Sequence, residues 1–438
     1  MNEEIYEDLE FPSDFIWGSA TSSHQVEGNN KNNNWWVWEQ EGGNIIDGST
    51  SGRACDQYNR YKEDIRLMKK LGHQCYRFSF EWSRIEPERG KFDIKEINHY
   101  RDLLNELINN EIVPMVTLHH FTNPIWLQNI GAWENSEIIE LFERYVVYIA
   151  NELGELIPFW DTINEPMILA LLGYLFGIHP PNKRDRSSFS KVSLNLLKSH
   201  GRAYHAIHRT VKSVSIPFVK FNKPQVGMTK NLIAYEPVDP NSEADKKETI
   251  YRAQISNWWF LDAINTGIIG LPFGNNEYLE YIRNSTDFIG LNYYMRGLAS
   301  KSATAEEIAG SLEKSDMGWE IYPEGIYYLL MELEKYKKPI IVTENGIATT
   351  QDERRCKYIL QHLREIHRAI KQGVDIRGYL HWSTIDNFEF VEGFTKRFGL
   401  IEINFDTMER TPRPSAYLFQ EIIKKNRVTK EMQEKYHI

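Results

Sequence analysis

The chain has 438 residues, of which 41% are hydrophobic, and its formal net charge is −10 at neutral pH. This composition indicates a globular fold with a large core, and it excludes a polyanion binder such as a nucleic-acid-binding protein, because no basic run or stripe occurs. The longest apolar run, which starts at Met167, is too short to cross a bilayer; it is interpreted as a buried helix or a pocket wall, and no membrane span is predicted.

Eight short runs rich in aromatic and β-branched residues alternate with longer stretches of helical period. In chain order the runs are FIWGSATSS from Phe15, QCYRFSF from Gln74, IVPMVTLHH from Ile112, PFWDTINEP from Pro158, QVGMTKNL from Gln225, DFIGLNYY from Asp287, PIIVTENG from Pro339 and IRGYLHWS from Ile376. Between them, segments such as KEINHYRDLLNELINN carry apolar residues at three- and four-residue steps, as amphipathic helices do. Eight strands that alternate with helices predict a closed parallel (β/α)8 TIM barrel of the α/β class.

The alternative architecture is an open doubly wound sheet, which normally carries a glycine-rich phosphate-binding turn after its first strand. Here the first run is followed by HQVEGNNKNNNWW, which contains no such turn. No linker rich in proline or serine divides the chain, so residues 1–438 are predicted to form a single barrel domain. Residues 300–316 are predicted to form a loop near the barrel mouth.

Several predicted strands end in polar side chains, and the carboxyl ends of the strands carry the chemistry in a barrel of this kind. Glu165 ends the fourth run and Glu344 the seventh, each beside an asparagine. Pro166 stops strand pairing after Glu165, because proline has no amide donor. Either glutamate alone is equally well explained as a helix cap or an ion-pair partner of an arginine. If both glutamates lie at the mouth of one barrel, they indicate a pair of carboxyl groups that perform acid and base catalysis.

The other polar strand ends suit a sugar better than a phosphate. They supply amide and imidazole groups, one further carboxylate and a flat aromatic face, from Gln25, His120, Asn164, Asn292, Glu389 and Trp382. A sugar offers hydroxyls for hydrogen bonds and C–H faces for stacking. A phosphate would require arginine, lysine or a nest of backbone amides, which this set lacks.

Eight stretches resemble glycoside hydrolase family 1, the β-glucosidase family, and they follow the family's order over nearly the whole chain. They are FPSDFIWGSATSSHQVEG, YRFSFEWSRIEP, TLHHFTNPIW, TINEP, DFIGLNYY, GWEIYPEG, VTENG and HWSTIDNFEFVEGFTKRFGL. The resemblance implies a retaining β-glycosidase that hydrolyses terminal β-D-glucosides by double displacement and needs no cofactor.

The resemblance also implies roles for individual residues. Glu344 would be the nucleophile and Glu165 the general acid and base. The glycone subsite would be lined by Gln25, His120, Asn164, Trp382, Glu389 and Phe390. Asn292, Tyr294 and Arg77 would lie beside the two glutamates, and Trp319 and Met167 would shape the leaving-group side. Arg77 and Tyr294 would favour the ionised form of Glu344, whereas burial and the charge of Glu344 would raise the pKa of Glu165.

Three positions depart from the commoner family pattern. Phe390 stands where most β-glucosidases of the family carry tryptophan and lacks the indole N–H donor, so β-D-galactosides and β-D-fucosides are predicted as secondary substrates. Met167 replaces a tryptophan and suggests an adaptable wall for an apolar leaving group. Glu389 stands where the 6-phosphoglycosidases of the family carry serine. Its carboxylate would repel a phosphate dianion, which excludes phosphorylated sugars.

Other functions were weighed against hydrolysis. A catalytically inactive sugar-binding relative would usually have lost one glutamate, and an S-glycosidase would carry glutamine in place of Glu165. A transglycosylating relative that acts on hydrophobic aglycones uses the same residues and stays open. His205 and His208 are spaced as helical metal ligands, but no third ligand is evident, so no metal is predicted.

The chain begins with MNEEIYEDLE, which is acidic and lacks the apolar core of a secretory signal. The three cysteines, Cys55, Cys75 and Cys356, are widely separated and show no disulfide or metal spacing. A cytoplasmic location is therefore predicted, with a small-molecule β-glycoside or oligosaccharide as the binding partner. The sequence leaves open the natural aglycone and the oligomeric state, homo-oligomers included.

Overall fold

The computed structural model describes residues 7–303, 308 and 310–438. Within this part of the chain, eight strands close into a barrel: β1 Ile16–Ala20, β2 Cys75–Ser79, β3 Val113–Thr117, β4 Phe159–Asn164, β5 Gln225–Asn231, β6 Phe288–Asn292, β7 Ile340–Asn345 and β8 Ile376–Trp382. Each strand pairs in parallel with its neighbours in chain order, and β8 pairs with β1, so the barrel sheet has no free edge. All eight strands fall within the predicted runs, and the predicted (β/α)8 barrel is confirmed.

Helices connect successive strands. The longer ones after β1 to β8 are, in order, Gln57–Lys70, Ile94–Asn109, Ile138–Leu153, Arg186–Thr210, Glu243–Ala253 with Trp259–Thr266, Pro323–Leu333, Asp352–Lys371 and Pro414–Lys425. Shorter helices are Ser23–Val26, Asn34–Gln40, Trp82–Ile85, Ile125–Asn129, Pro166–Ala170 and Lys430–Tyr436. Of the predicted loop at 300–316, residues 304–307 and 309 lie outside the described part. No helix that the structure describes is long and apolar enough to span a membrane.

Four two-stranded sheets lie outside the barrel. They are Leu9–Glu10 with Arg427–Val428, Ala234–Pro237 with Arg296–Ala299, Ile268–Ile269 with Glu277–Tyr278, and Ile401–Ile403 with Arg410–Pro412. The second of these continues from the ends of β5 and β6, and so extends the wall of the barrel at its mouth.

The helix Ile94–Asn109 shows how the local sequence produces the outer shell. Its first turn is capped by Asp93, whose side chain accepts from a backbone amide two residues on at 2.8 Å. The apolar side chains recur at three- and four-residue steps, and Ile97, Leu104 and Leu107 are fully buried against the barrel. The helix is therefore held by one apolar face, as its periodicity predicts.

The barrel interior contains two chemically different layers. The apolar layer is a cluster of buried side chains from six strands, which can meet only inside the barrel: Cys75, Met115, Phe159, Phe288, Ile341 and Leu380. The polar layer lies nearer the mouth and consists of Arg77, Thr117, Asp161, Thr229 and Thr343, which are joined by hydrogen bonds around Asp161 and Thr229. Alternate residues of a strand share a face. Cys75, Met115, Phe159 and Ile341 each precede a member of the polar layer by two residues.

Candidate active site

A cavity of ≈ 300 Å³ opens at the mouth of the barrel, above the polar layer. The predicted site residues that line it are Gln25, His120, Asn164, Glu165, Tyr294, Trp319, Glu344, Trp382, Glu389 and Phe390. Arg77 and Asn292 are wholly buried and hydrogen-bond to the glutamates of this lining. Met167 is fully buried in the core and does not line the cavity, whereas the next residue, Ile168, does.

The backbone at the end of β4 places Glu165. Its φ of +47° lies in the left-handed region, which is unusual for a residue other than glycine. Its amide still donates to the Thr229 carbonyl at 2.9 Å, so the chain turns while attached to β5. Pro166 then occupies the first turn of a short helix, where its missing amide proton costs nothing. The sharp turn delivers the Glu165 carboxyl to the cavity.

Neutral amides surround the carboxyl of Glu165. The Asn292 side-chain amide donates to Oε1 at 2.7 Å, and Nδ2 of Asn231 lies 3.4 Å from the same oxygen. Burial, followed by the negative charge of Glu344, raises the pKa of Glu165 to about 7. Both causes are those expected from the sequence. A carboxyl group with this pKa can hold a proton near neutral pH and still release it, as a general acid and base must.

Stronger donors contact Glu344. Nη1 of Arg77 donates to Oε1, and the Tyr294 hydroxyl donates to Oε2 at 2.6 Å. Burial raises the pKa of Glu344, and the charge of Arg77 and the hydrogen bond from Tyr294 oppose that rise. These donors favour the ionised form of Glu344, whereas the carboxyl of Glu165 receives amide donors only.

The polar layer holds Arg77 in position. Its Nη2 donates to Oδ2 of Asp161 at 2.6 Å and to Oδ1 of Asn164 at 2.7 Å. Asp161 also accepts from the hydroxyls of Thr117, at 2.8 Å, and Thr229, at 2.9 Å. The sequence analysis did not single out Asp161. Its only signal was a carboxylate in the middle of the otherwise buried run PFWDTINEP.

One end of the cavity is rich in polar groups. Gln25 donates to Oε2 of Glu389 at 3.2 Å. Burial, and next the charge of Glu344, raise the pKa of Glu389 to about 8, while hydrogen bonds from Gln25 and Trp382 oppose the rise. The Trp382 ring stacks on His120 with centroids 6.0 Å apart. This end therefore offers donors, acceptors and a flat face, which are the groups that a sugar ring requires.

His120 contributes a neutral imidazole to the same end. Burial lowers its pKa well below 6.5. Asn164 donates to Nε2 at 3.2 Å, so the single ring proton is on Nδ1. Among the described residues Nδ1 has no hydrogen-bond partner, and this nitrogen is itself buried.

Phe390 closes this end with a ring that can donate no hydrogen bond. Its centroid lies 4.5 Å from Trp35 and 5.5 Å from Phe121. The aromatic packing fixes the ring, and Phe390 thereby adds shape to the cavity without polar recognition.

Much of the remaining lining was not identified from the sequence. Six apolar side chains, here called the apolar wall, belong to it: Ile168, Leu172, Ile178, Ile233, Met295 and Met317. The further lining residues are Phe121, His179, Asn231, Val391, Glu392 and Phe398. The one signal was the run MILALLGYLFGI, which the sequence analysis interpreted as a buried helix or a pocket wall without naming its lining residues. Ile168, Leu172 and Ile178 of this run line the cavity.

The histidine pair weighed as metal ligands is engaged elsewhere. Nε2 of His205 lies 2.9 Å from the Tyr281 carbonyl, and Nε2 of His208 lies 2.8 Å from Asp287. In the part of the chain that the structure describes, no group of three or more His, Cys, Asp or Glu side chains could hold a metal ion.

Comparisons with known proteins match this chain over nearly its whole length. The family model described as Glycosyl hydrolase family 1 matches residues 7–428. Beta-glucosidase A of Acetivibrio thermocellus is 38% identical, and the match covers 95% of this chain and 99% of that protein. The structure of a beta-glycosidase from Pyrococcus horikoshii aligns with a TM-score of 0.89 at 38% identity, over 98% of this chain and 99% of the other. A family 1 β-glucosidase from Thermotoga maritima in complex with isofagomine lactam aligns with a TM-score of 0.90 at 33% identity, over 96% and 100% of the two chains.

Proposed function

Because this chain belongs to glycosyl hydrolase family 1, whose members cleave glycosides with retention of configuration, we propose that it hydrolyses terminal β-D-glucosides. In this proposal Glu344 is the nucleophile and Glu165 the general acid and base. One observation carries the assignment of the two roles. Both carboxyls line one cavity, yet Glu344 receives a guanidinium and a hydroxyl donor whereas Glu165 receives amides.

The first step forms a glycosyl–enzyme ester. The ionised Glu344 attacks the anomeric carbon while Glu165 donates its proton to the departing oxygen. Arg77 and Tyr294 favour the ionised nucleophile, and the raised pKa of Glu165 keeps the acid protonated near neutrality. In retaining enzymes the two carboxyl groups lie about 5–5.5 Å apart, and we expect that separation here.

The second step reverses the role of Glu165. Once the ester has formed, Glu344 carries no charge, so one of the two causes of the raised pKa of Glu165 disappears. Glu165 then releases its proton more readily and can take one from the attacking water. Water arrives from the face that the leaving group vacated, and the product keeps the β configuration.

The polar end of the cavity is the proposed glycone subsite. Gln25, His120 and Glu389 supply the donors and acceptors for sugar hydroxyls, and Trp382 supplies a stacking face. Because Phe390 has no N–H, it cannot enforce one orientation of a ring hydroxyl as a tryptophan donor could. β-D-galactosides and β-D-fucosides are therefore proposed as secondary substrates.

Three further points belong to the proposal. Residues 1–438 act as one catalytic domain, and no cofactor takes part. The location is cytoplasmic, which is supported by three buried cysteines that are free in the structure. The oligomeric state stays open.

NMR of the first sugar released from 4-nitrophenyl β-glucoside tests the mechanism. We expect β-glucose to appear first and to mutarotate later, whereas initial α-glucose would contradict double displacement. A panel of 4-nitrophenyl β-glycosides that differ only in the sugar tests the glycone. The glucoside should give the highest kcat/KM, with galactoside and fucoside next. The α-glucoside and the 6-phosphoglucoside serve as controls that should not be cleaved.

A further inference from the structure

The leaving group of a glycoside must lie next to the general acid, because that group protonates the departing oxygen. The chain beyond Glu165 builds this side of the cavity. The amide of Ile168 donates to the Glu165 carbonyl at 2.9 Å, and Leu172 lies one turn further on. Ile233 follows Asn231, whose side chain approaches the Glu165 carboxyl. Ile168, Leu172 and Ile233 of the apolar wall thus lie on the chain segments that carry the acid and its amide partner.

Few polar groups are available beside the apolar wall. The amide of Asn231 is directed at Glu165, and the carboxylate of Glu392 pairs with Lys396 at 3.3 Å. His179 is neutral, because burial lowers its pKa to about 3, and its ring packs among those of Trp35, Phe121 and Phe390, with centroid distances of 4.9, 6.2 and 6.4 Å. The sugar end, by contrast, is lined by the polar side chains of Gln25, Glu389 and His120.

We propose that the natural leaving group is an apolar alcohol, alkyl or aryl, rather than a second sugar; this inference rests on the proposed function. A second sugar would bring several hydroxyls to a wall of isoleucine, leucine and methionine. Hydroxyls that lose water without gaining partners weaken binding. An alkyl or aryl group has no hydrogen bonds to water that it would lose there, and the methionine side chains can adapt to its shape.

Exposed apolar side chains at the mouth of the cavity also favour an apolar leaving group. Ile178 lines the cavity and is 48% exposed, and nearby Phe176 is 51% exposed. Apolar side chains at this position do not contribute fully to the core. A bound alkyl chain would cover the exposed part of Ile178 and remove apolar surface from water, which favours binding.

The test uses alkyl β-glucosides of increasing chain length, with cellobiose as the sugar-leaving-group substrate. From methyl to hexyl, kcat/KM should rise by about two- to fourfold for each added methylene that enters the cavity. Hexyl β-glucoside should exceed cellobiose, although a sugar hydroxyl is chemically the better leaving group. A flat series, or a higher kcat/KM for cellobiose than for hexyl glucoside, would overturn the inference.

A variant locates the effect at the apolar wall. Ile178→Asn should lower the ratio of kcat/KM for hexyl to methyl glucoside by about fivefold. The matched control is Ile94→Asn, at a residue that is 55% exposed at the start of an outer helix and should leave this ratio unchanged. An unchanged ratio in Ile178→Asn would count against the inference.

Failure of the proposed function gives a different result. In that case no β-glucoside, methyl and 4-nitrophenyl included, would be turned over, and the inference would fall with it. If 4-nitrophenyl glucoside is cleaved and cellobiose is preferred to hexyl glucoside, only the inference fails.

Discussion

The apolar and polar layers of the barrel interior lie two residues apart on the same strands, yet they differ in what they need from their neighbours. The side chains of the apolar layer, such as Met115 and Phe159, only have to fill space. In the polar layer, Arg77 and Asp161 are fully buried charges, each of which needs the other. Along these strands, the residues that stabilise the barrel thus lie below the residues that support the chemistry, which are nearer the mouth.

The difference predicts how each layer tolerates change. A close-packed apolar cluster loses stability when a side chain is shortened, but its neighbours keep their geometry. A buried ion pair leaves an uncompensated charge when one partner is removed. Substitutions from the cavity down to the apolar layer should therefore separate effects on activity from effects on folding.

The largest effect is expected at the proposed nucleophile. Glu344→Ala should lower kcat by about 10⁴-fold or more, because the glycosyl–enzyme ester cannot form. Added azide should restore turnover and yield the α-glucosyl azide, which NMR identifies. An unchanged melting temperature serves as the control for folding. A variant that keeps more than about 1% of wild-type kcat on 4-nitrophenyl glucoside would remove Glu344 from this role.

Loss of the proposed general acid should have a smaller effect, which should depend on the substrate. Glu165→Ala should lower kcat/KM by about 10²- to 10⁴-fold on hexyl glucoside, whose leaving group needs a proton. On 2,4-dinitrophenyl glucoside the decrease in kcat/KM should be much smaller. Azide should give the β-glucosyl azide. Equal losses on both substrates would be inconsistent with an acid at this position.

The pH profile of the wild-type enzyme tests the same residue. As the proposed general acid, Glu165 must be protonated in the free enzyme, and its pKa is raised to about 7. Activity should therefore persist above the usual titration range of a carboxyl group and decline as pH passes through about 7. On the dinitrophenyl substrate, Glu165→Gln should abolish the alkaline decline in kcat/KM. If the decline persists in Glu165→Gln, another group titrates there.

Below the cavity, Asp161→Asn tests the polar layer. Arg77 would lose its main partner and shift against Glu344, so kcat/KM should fall by about 10- to 100-fold. The free energy of unfolding should also fall, by about 3–5 kcal/mol, because a buried pair is broken. Chemical denaturation and steady-state kinetics measure the two effects.

The smallest effect on activity is expected from the apolar layer. Met115→Ala should lower the free energy of unfolding by about 2–5 kcal/mol, while kcat/KM of the folded enzyme stays within about twofold of wild type. It is the matched comparison for Asp161→Asn, since Met115 and Asp161 lie on adjacent strands. A similar loss of kcat/KM in both variants would show that the layers are not independent.

The barrel was predictable from local sequence, and the reason is visible at β3 and β7. IVPMVTLHH and PIIVTENG are short runs rich in β-branched residues, and an amphipathic helix follows each of them. Each strand is therefore recognisable without knowledge of its partners. Closure then follows from eight repeats of the same unit. The two glutamates were found because each ends such a run at the carboxyl side.

Two parts of the site depend on contacts that the sequence does not encode locally. Asp161 matters because Arg77, 84 residues away, lies beside it. The cavity takes Ile168 rather than Met167, because the left-handed turn at Glu165 sets the rotation of the following helix. Both features require the folded barrel before they can be recognised.

The contacts of Arg77 have a consequence for how the enzyme loses activity. Its guanidinium connects three strands, β2 through its own backbone, β4 through Asp161 and β7 through Glu344. None of these three strands can detach without breaking a contact of Arg77, and a closed sheet has no terminal strand to fray first. Heat inactivation should therefore coincide with cooperative melting of the whole barrel, and residual activity should report the fraction of intact molecules.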